Sequence, residues 1–155
     1  MIEIIANLLR CGIGFIAKCG IVIAPPVARI ALALPFFRSG LTRWDGFPKL
    51  TDGTIYLFEE EFKLHIFGGE YSIPAPDLVA FATGIGEIVL PILLVIGFAT
   101  RISALGLLAM TAVIQLVVPD GWINFHLYWA ALALSIIAMG PGQLSLDHLV
   151  KKLWP

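Results

Sequence analysis

Charge is what this sequence has least of. Only 14% of its 155 residues are charged, against about a quarter in an ordinary soluble domain. The formal net charge of −1 creates no global field, so the composition argues against a nucleic-acid partner. Cysteine is also scarce. Cys11 and Cys19 share one N-terminal segment with neither a C-x-x-C nor a zinc spacing, so they read as apolar fillers. The three histidines, His65, His126 and His148, lie on separate segments, and no H-x-x-x-H or H-E-x-x-H is present, so no metal site is expected. There is no phosphate-binding glycine loop and no nucleophile elbow. The GIG at 84–86 follows no strand and reads as helix packing. No catalytic residue can be assigned from motifs.

What the chain has is apolar surface. Hydrophobic residues make up 59%, and the mean hydropathy is +0.92. A chain this short cannot hide so much in one aqueous core, so lipid is the solvent that fits. A membrane helix needs about 20 mostly apolar residues. Segments 27–44, 77–100 and 101–118 qualify, and 124–139 is slightly short but stops at Gly140-Pro141-Gly142. The sequence therefore predicts an all-α membrane protein, a bundle of four transmembrane helices.

The first 24 residues differ. Glu3, Asn7, Arg10, Gly14 and Lys18 follow at steps of four, three, four and four, a polar stripe on an oily helix. This predicts an amphipathic helix over 1–24 lying in the interface. Pro25-Pro26 is expected to break it from a four-helix domain over 25–155. A cleaved signal peptide is the alternative, but no compact basic region or A-x-A site is present. Arg10, Lys18, Arg29, Arg101, Lys151 and Lys152 fall on one side of a four-span topology. The positive-inside rule then puts both termini in the cytoplasm of a bacterial inner-membrane protein. The opposite side carries a long, acid-rich outer loop, 45–76. Within it Ile55, Phe58 and Phe62 recur at helical spacing with Glu59, Glu60 and Glu61 on the other face, predicting a short amphipathic helix over the bundle mouth.

Four polar residues fall at membrane depth, where an ionisable group costs a few kcal/mol and usually turns inward to a partner. Glu87 sits near the middle of the second span, with Ala80, Gly84 and Pro91 on its face, so neighbouring helices can approach closely there. Arg38 and Ser39 end the first span, Gln115 and Thr111 share a face of the third, and His126 opens the fourth. Arg38 is the expected charge partner of Glu87. The alternatives for these residues are a snorkelling Arg38, an interhelical hydrogen bond at Gln115 and an interfacial anchor at His126.

At PFFRSGLTRWDGFPKL (35–50), GIGEIVLPILLVIGFATR (84–101) and PGQLSLDHL (141–149) the chain resembles the DoxX family of small four-helix membrane proteins, over about residues 27–150. The family's pattern falls on Arg38, Ser39, Gly40 and Arg43, on Gly84, Glu87, Gly97 and Arg101, and on Gly140, Gly142, Ser145 and Asp147. The resemblance implies a link to thiosulfate:quinone oxidoreductase subunits, or to membrane partners of a superoxide dismutase and a sulfurtransferase in oxidative-stress defence. It transfers no quinone motif and leaves enzymatic activity open. The expectation is a redox- or stress-linked subunit that binds a quinone or other small ligand at Arg38, Glu87, Gln115 and His126. Its partners would be the bilayer and a soluble redox or stress-defence protein. A non-enzymatic scaffold, a small-solute transporter and a homodimer remain open alternatives.

Overall fold

The computed structural model describes residues 2–154; side-chain environments are described for residue 7 and from residue 9 onward. Among the described residues, four helices are long and apolar enough to cross a membrane. Helix α1 is Ile2–Thr42, α3 Pro76–Ile96 and α4 Thr100–Val117. The fourth span, Pro119–Met139, begins with a 3-10 turn and a wide π turn, then continues as α5, Leu127–Met139. A short α6, Leu146–Leu153, follows the glycine-proline stop.

The bundle core is small and apolar: Leu32, Ala33 and Phe36 from α1, Leu94 from α3, Ala104 and Leu107 from α4, and Ala133 and Ile136 from α5. The most extensive helix interface joins α1 to α3. A Cβ on Gly40 would stand 2.9 Å from Ile88 and 3.0 Å from the Glu87 backbone, so only glycine permits that approach. The large apolar side chains left outside the core, such as Ile92, Ile102, Leu105 and Leu134, are exposed. They fit a lipid-facing surface.

Pro25-Pro26 does not break the chain. α1 runs on through both prolines, and through Pro35, as one helix. Each proline removes one amide donor, but membrane helices tolerate this where neighbours hold the backbone. Here Pro25 is packed against Gly142. In the polar stripe, Asn7, Arg10 and Lys18 are exposed, as are the apolar Leu9, Ile13, Phe15 and Ile16. The side chain of Glu3 lies outside the described residues.

The long connection holds the expected helix and one element the sequence did not suggest. α2, Asp52–Tyr56, is N-capped by the Thr51 side chain and runs into a π turn at Leu57–Glu61. Phe58 is buried with Leu50, Ile73 and Ala80, with Ile55 and Phe62 packed alongside. Strands β1, Lys63–Ile66, and β2, Gly69–Ser72, then form an antiparallel hairpin with Lys63 opposite Ser72. His65 Nδ1 lies 3.1 Å from the Leu116 carbonyl, tying the hairpin to the end of α4.

Candidate functional site

Glu87 is buried, 1% exposed, and its partner is Arg43, not Arg38. Arg43 grips the carboxylate with two nitrogens: Nε bonds Oε2, and Nη2 donates to Oε1 at 2.8 Å. Ser39 donates to the same Oε1 at 3.2 Å. Helical geometry explains the substitution. Ser39 and Arg43 are four residues apart and share a face, whereas Arg38 is turned about 100° from Ser39 and is exposed. A forked guanidinium matches a carboxylate better than any point charge. The loop closes over it: Phe58 lies under the Arg43 guanidinium at 5.2 Å, and Thr51 N donates to the Arg43 carbonyl at 2.9 Å. Gly84, one turn away on α3, is buried against the Trp44 ring.

Gln115 and His126 are also brought together. Gln115 Nε2 donates to the Pro119 carbonyl at 2.9 Å, which turns Oε1 toward His126 Nδ1 at 2.7 Å. Because Oε1 can only accept, Nδ1 carries the proton, which in the neutral form of the ring makes Nε2 the acceptor nitrogen. The ring is 3% exposed and packs on Trp129 at 5.3 Å, which in turn packs on Phe36 at 5.1 Å. Thr111 is spent on its own helix, donating to the Leu107 carbonyl at 2.8 Å. No hydrogen bond among the described residues links this group to Glu87. Nor do any three His, Cys, Asp or Glu side chains among them stand close enough to hold a metal.

A third polar group lies at the opposite end of the bundle. Arg29, expected at the interface, is 1% exposed. Its guanidinium donates to the carbonyls of Leu94 at 3.4 Å, Val95 at 3.2 Å and Leu144. Leu94 and Val95 belong to the last turn of α3: Leu94 already accepts from Gly97 N at 3.1 Å, while the Val95 carbonyl is one that the helix end leaves without a backbone donor among the described residues. Gly97 ends α3 at φ 73°, and a Cβ there would strike Arg29 and Ser145. Asp147 caps α4 across a long sequence gap, its two oxygens accepting from Ala99 N at 2.8 Å and Thr100 N at 2.9 Å. Ala99 has no side chain to do this, so the negative cap comes from the tail. The motif S-x-D was visible in the sequence; its use as a remote cap was not.

Burial alone would raise the Asp147 pKa. Hydrogen bonds from Thr100 and Ala99 and the charge of Arg29 outweigh it, holding the carboxyl below its ordinary value of 3.8. A folded-state pKa below the unfolded one gives stability that is fully present above about pH 4. That contribution fades as pH falls through the lower folded value. Thermal unfolding in detergent from pH 5 to pH 2 is expected to show a smaller acid loss in Asp147→Asn than in the native chain. The variant is also expected to be less stable than the native chain at pH 5. Identical pH profiles would rule the cap out as a contributor.

The sequence model of the DoxX family matches residues 24–120, more than half of the chain. The chain belongs to the DoxX family. Arg29, Arg43, Glu87 and Gln115 lie within the DoxX match, while His126 and Asp147 lie beyond it. A relative in Haemophilus influenzae, an uncharacterized protein, is 33% identical over 140 residues, covering 83% of this chain and 84% of its own. No solved structure matches the chain.

Proposed function

We propose that this DoxX protein is a membrane subunit of a redox- or stress-linked assembly and binds a quinol or similar ring ligand beside His126. The observation that carries this reading is the buried imidazole with its tautomer fixed by Gln115 and its face on Trp129. Its Nε2 has no hydrogen-bond partner among the described residues and is suited to accept a hydroxyl proton. Two-electron oxidation of a quinol releases two protons. Nε2 would take the first, the second would pass to solvent, and an acceptor on a partner protein would take the two electrons. Glu87, held by Arg43 and Ser39, serves in this reading as the fixed charge that locks α1 to α3. The basic-residue distribution supports an inner-membrane location with both termini cytoplasmic and the 45–76 loop outside. The test is quenching of tryptophan fluorescence by duroquinol in detergent. His126→Leu is expected to weaken binding about tenfold, the equivalent of one good hydrogen bond. Equal binding by native protein and variant would overturn the reading.

A scaffold role is favoured by one separate observation. Glu59, Glu60 and Glu61 are all exposed on the π turn while Phe58 anchors it. Such a rigid acidic knob suits a basic face on a soluble partner.

A further inference from the structure

At the end of the bundle away from the loop, a cleft of about 550 Å³ opens between the start of α4 and the tail. Ala99 to Ile102 form one wall, and Pro141 to Gln143 with Asp147, His148 and Lys151 form the other. Its acid is already committed, because both Asp147 oxygens accept backbone amides of α4. The cations are not. Neither Arg101 nor Lys151 forms an ion pair among the described residues, and both are exposed. The Arg101 guanidinium rests against Gly140 at the cleft wall. The free charge of the cleft is therefore positive.

Its depth is set by α4. Eighteen residues span about 27 Å, close to the hydrocarbon thickness, so the first turn of α4 lies at headgroup level. Ile102, on the cleft wall, and Leu105, about one turn further along α4, are exposed apolar side chains. On α6, Leu146, Leu149, Val150 and Leu153 form one apolar face and are all exposed, while His148, Lys151 and Lys152 occupy the other. A helix with that division lies in the interface with its lysines at the phosphates. We infer that this cleft is a binding site for the phosphate headgroup of an anionic phospholipid. Arg101 and Lys151 are its charge partners, with acyl chains running along Ile102 and Leu105. The site is independent of the proposed ring-ligand site near His126 and stands whether or not that reading does.

The experiment measures phospholipid binding to the intact protein by native mass spectrometry from maltoside micelles, using dioleoylphosphatidylglycerol and dioleoylphosphatidylcholine. The native chain is expected to prefer phosphatidylglycerol. Each interfacial cation contributes roughly a fivefold gain, so R101Q/K151Q is expected to weaken that binding about 25-fold. R101K/K151R is expected to retain it, and so is K49Q/K63Q, which removes two cations from the loop end. Raising the salt to 0.5 M is expected to weaken binding in the native protein, a reading that does not depend on the folding of any variant. Undiminished binding in R101Q/K151Q, equal binding of phosphatidylcholine, or insensitivity to salt would overturn the inference. Displacement of the lipid by millimolar inorganic phosphate would overturn the lipid assignment and leave a site for free phosphate.

Discussion

Arg43→Gln is expected to destabilise the bundle by about 3 kcal/mol, because it leaves the buried Glu87 carboxylate without its counter-charge. The neighbouring Arg38→Gln removes an exposed cation and is expected to cost less than about 0.5 kcal/mol. Equilibrium unfolding in mixed detergent micelles measures both. Pairing Arg43→Gln with Glu87→Gln restores a neutral, hydrogen-bonding match at the same place, so the double variant is expected to recover part of the loss. A coupling energy of roughly 1–3 kcal/mol in that cycle fits residues in direct contact. Additive losses would mean that the forked contact contributes nothing to stability. A larger effect for Arg38 than for Arg43 would contradict the observed pairing.

Arg29→Met is expected to have an effect of similar size by a different route. The guanidinium is the donor that reaches the carbonyls of Leu94, Val95 and Leu144 together. Losing it leaves the Val95 and Leu144 carbonyls short of a donor, each costing about 1–3 kcal/mol, whereas Leu94 keeps its bond from Gly97 N. The tie to Leu144 also restrains the tail, so residues 140–154 are expected to become more sensitive to protease in the variant. Arg29→Lys is expected to restore little, since an ammonium cannot hold three diverging carbonyls as a planar fork does. Unchanged stability together with an equally resistant tail would show that Arg29 is dispensable to both.

The two arginines show where the sequence was legible and where it was not. Hydropathy located the four spans because the bilayer sets their length. The Ile55, Phe58 and Phe62 spacing located the loop helix because a 3.6-residue period leaves few alternatives. A basic residue near a span end has no such constraint. Its stem can carry the charge outward to water or inward to an acceptor, and the local sequence is the same in both cases. The sequence places Arg29 among the interfacial cations and gives Arg43 no partner; tertiary contacts dozens of residues away turn both inward. Glu87 was legible as a buried acid needing a partner, but the partner was assigned by depth instead of by helix face. The Gln115–His126 contact could be suspected from their shared depth, while its tautomer required the Pro119 carbonyl. The hairpin at 63–72 gave almost no signal, since strands of four residues carry too little alternation to detect.

α1 is about 60 Å long, nearly twice the thickness of the hydrocarbon layer. Length alone therefore leaves open which stretch occupies the lipid. Two clips settle the matter: Arg29 against the end of α3 and the tail, and Arg43 against Glu87 in the body of α3. They lie 14 residues apart, about 21 Å along the axis. Sliding α1 by a single turn would break both at once, so the rod has one axial setting relative to α3. A bilayer thicker or thinner than the bundle cannot be met by slippage of this helix. It must be met by tilting the whole assembly or by deforming the lipid around it.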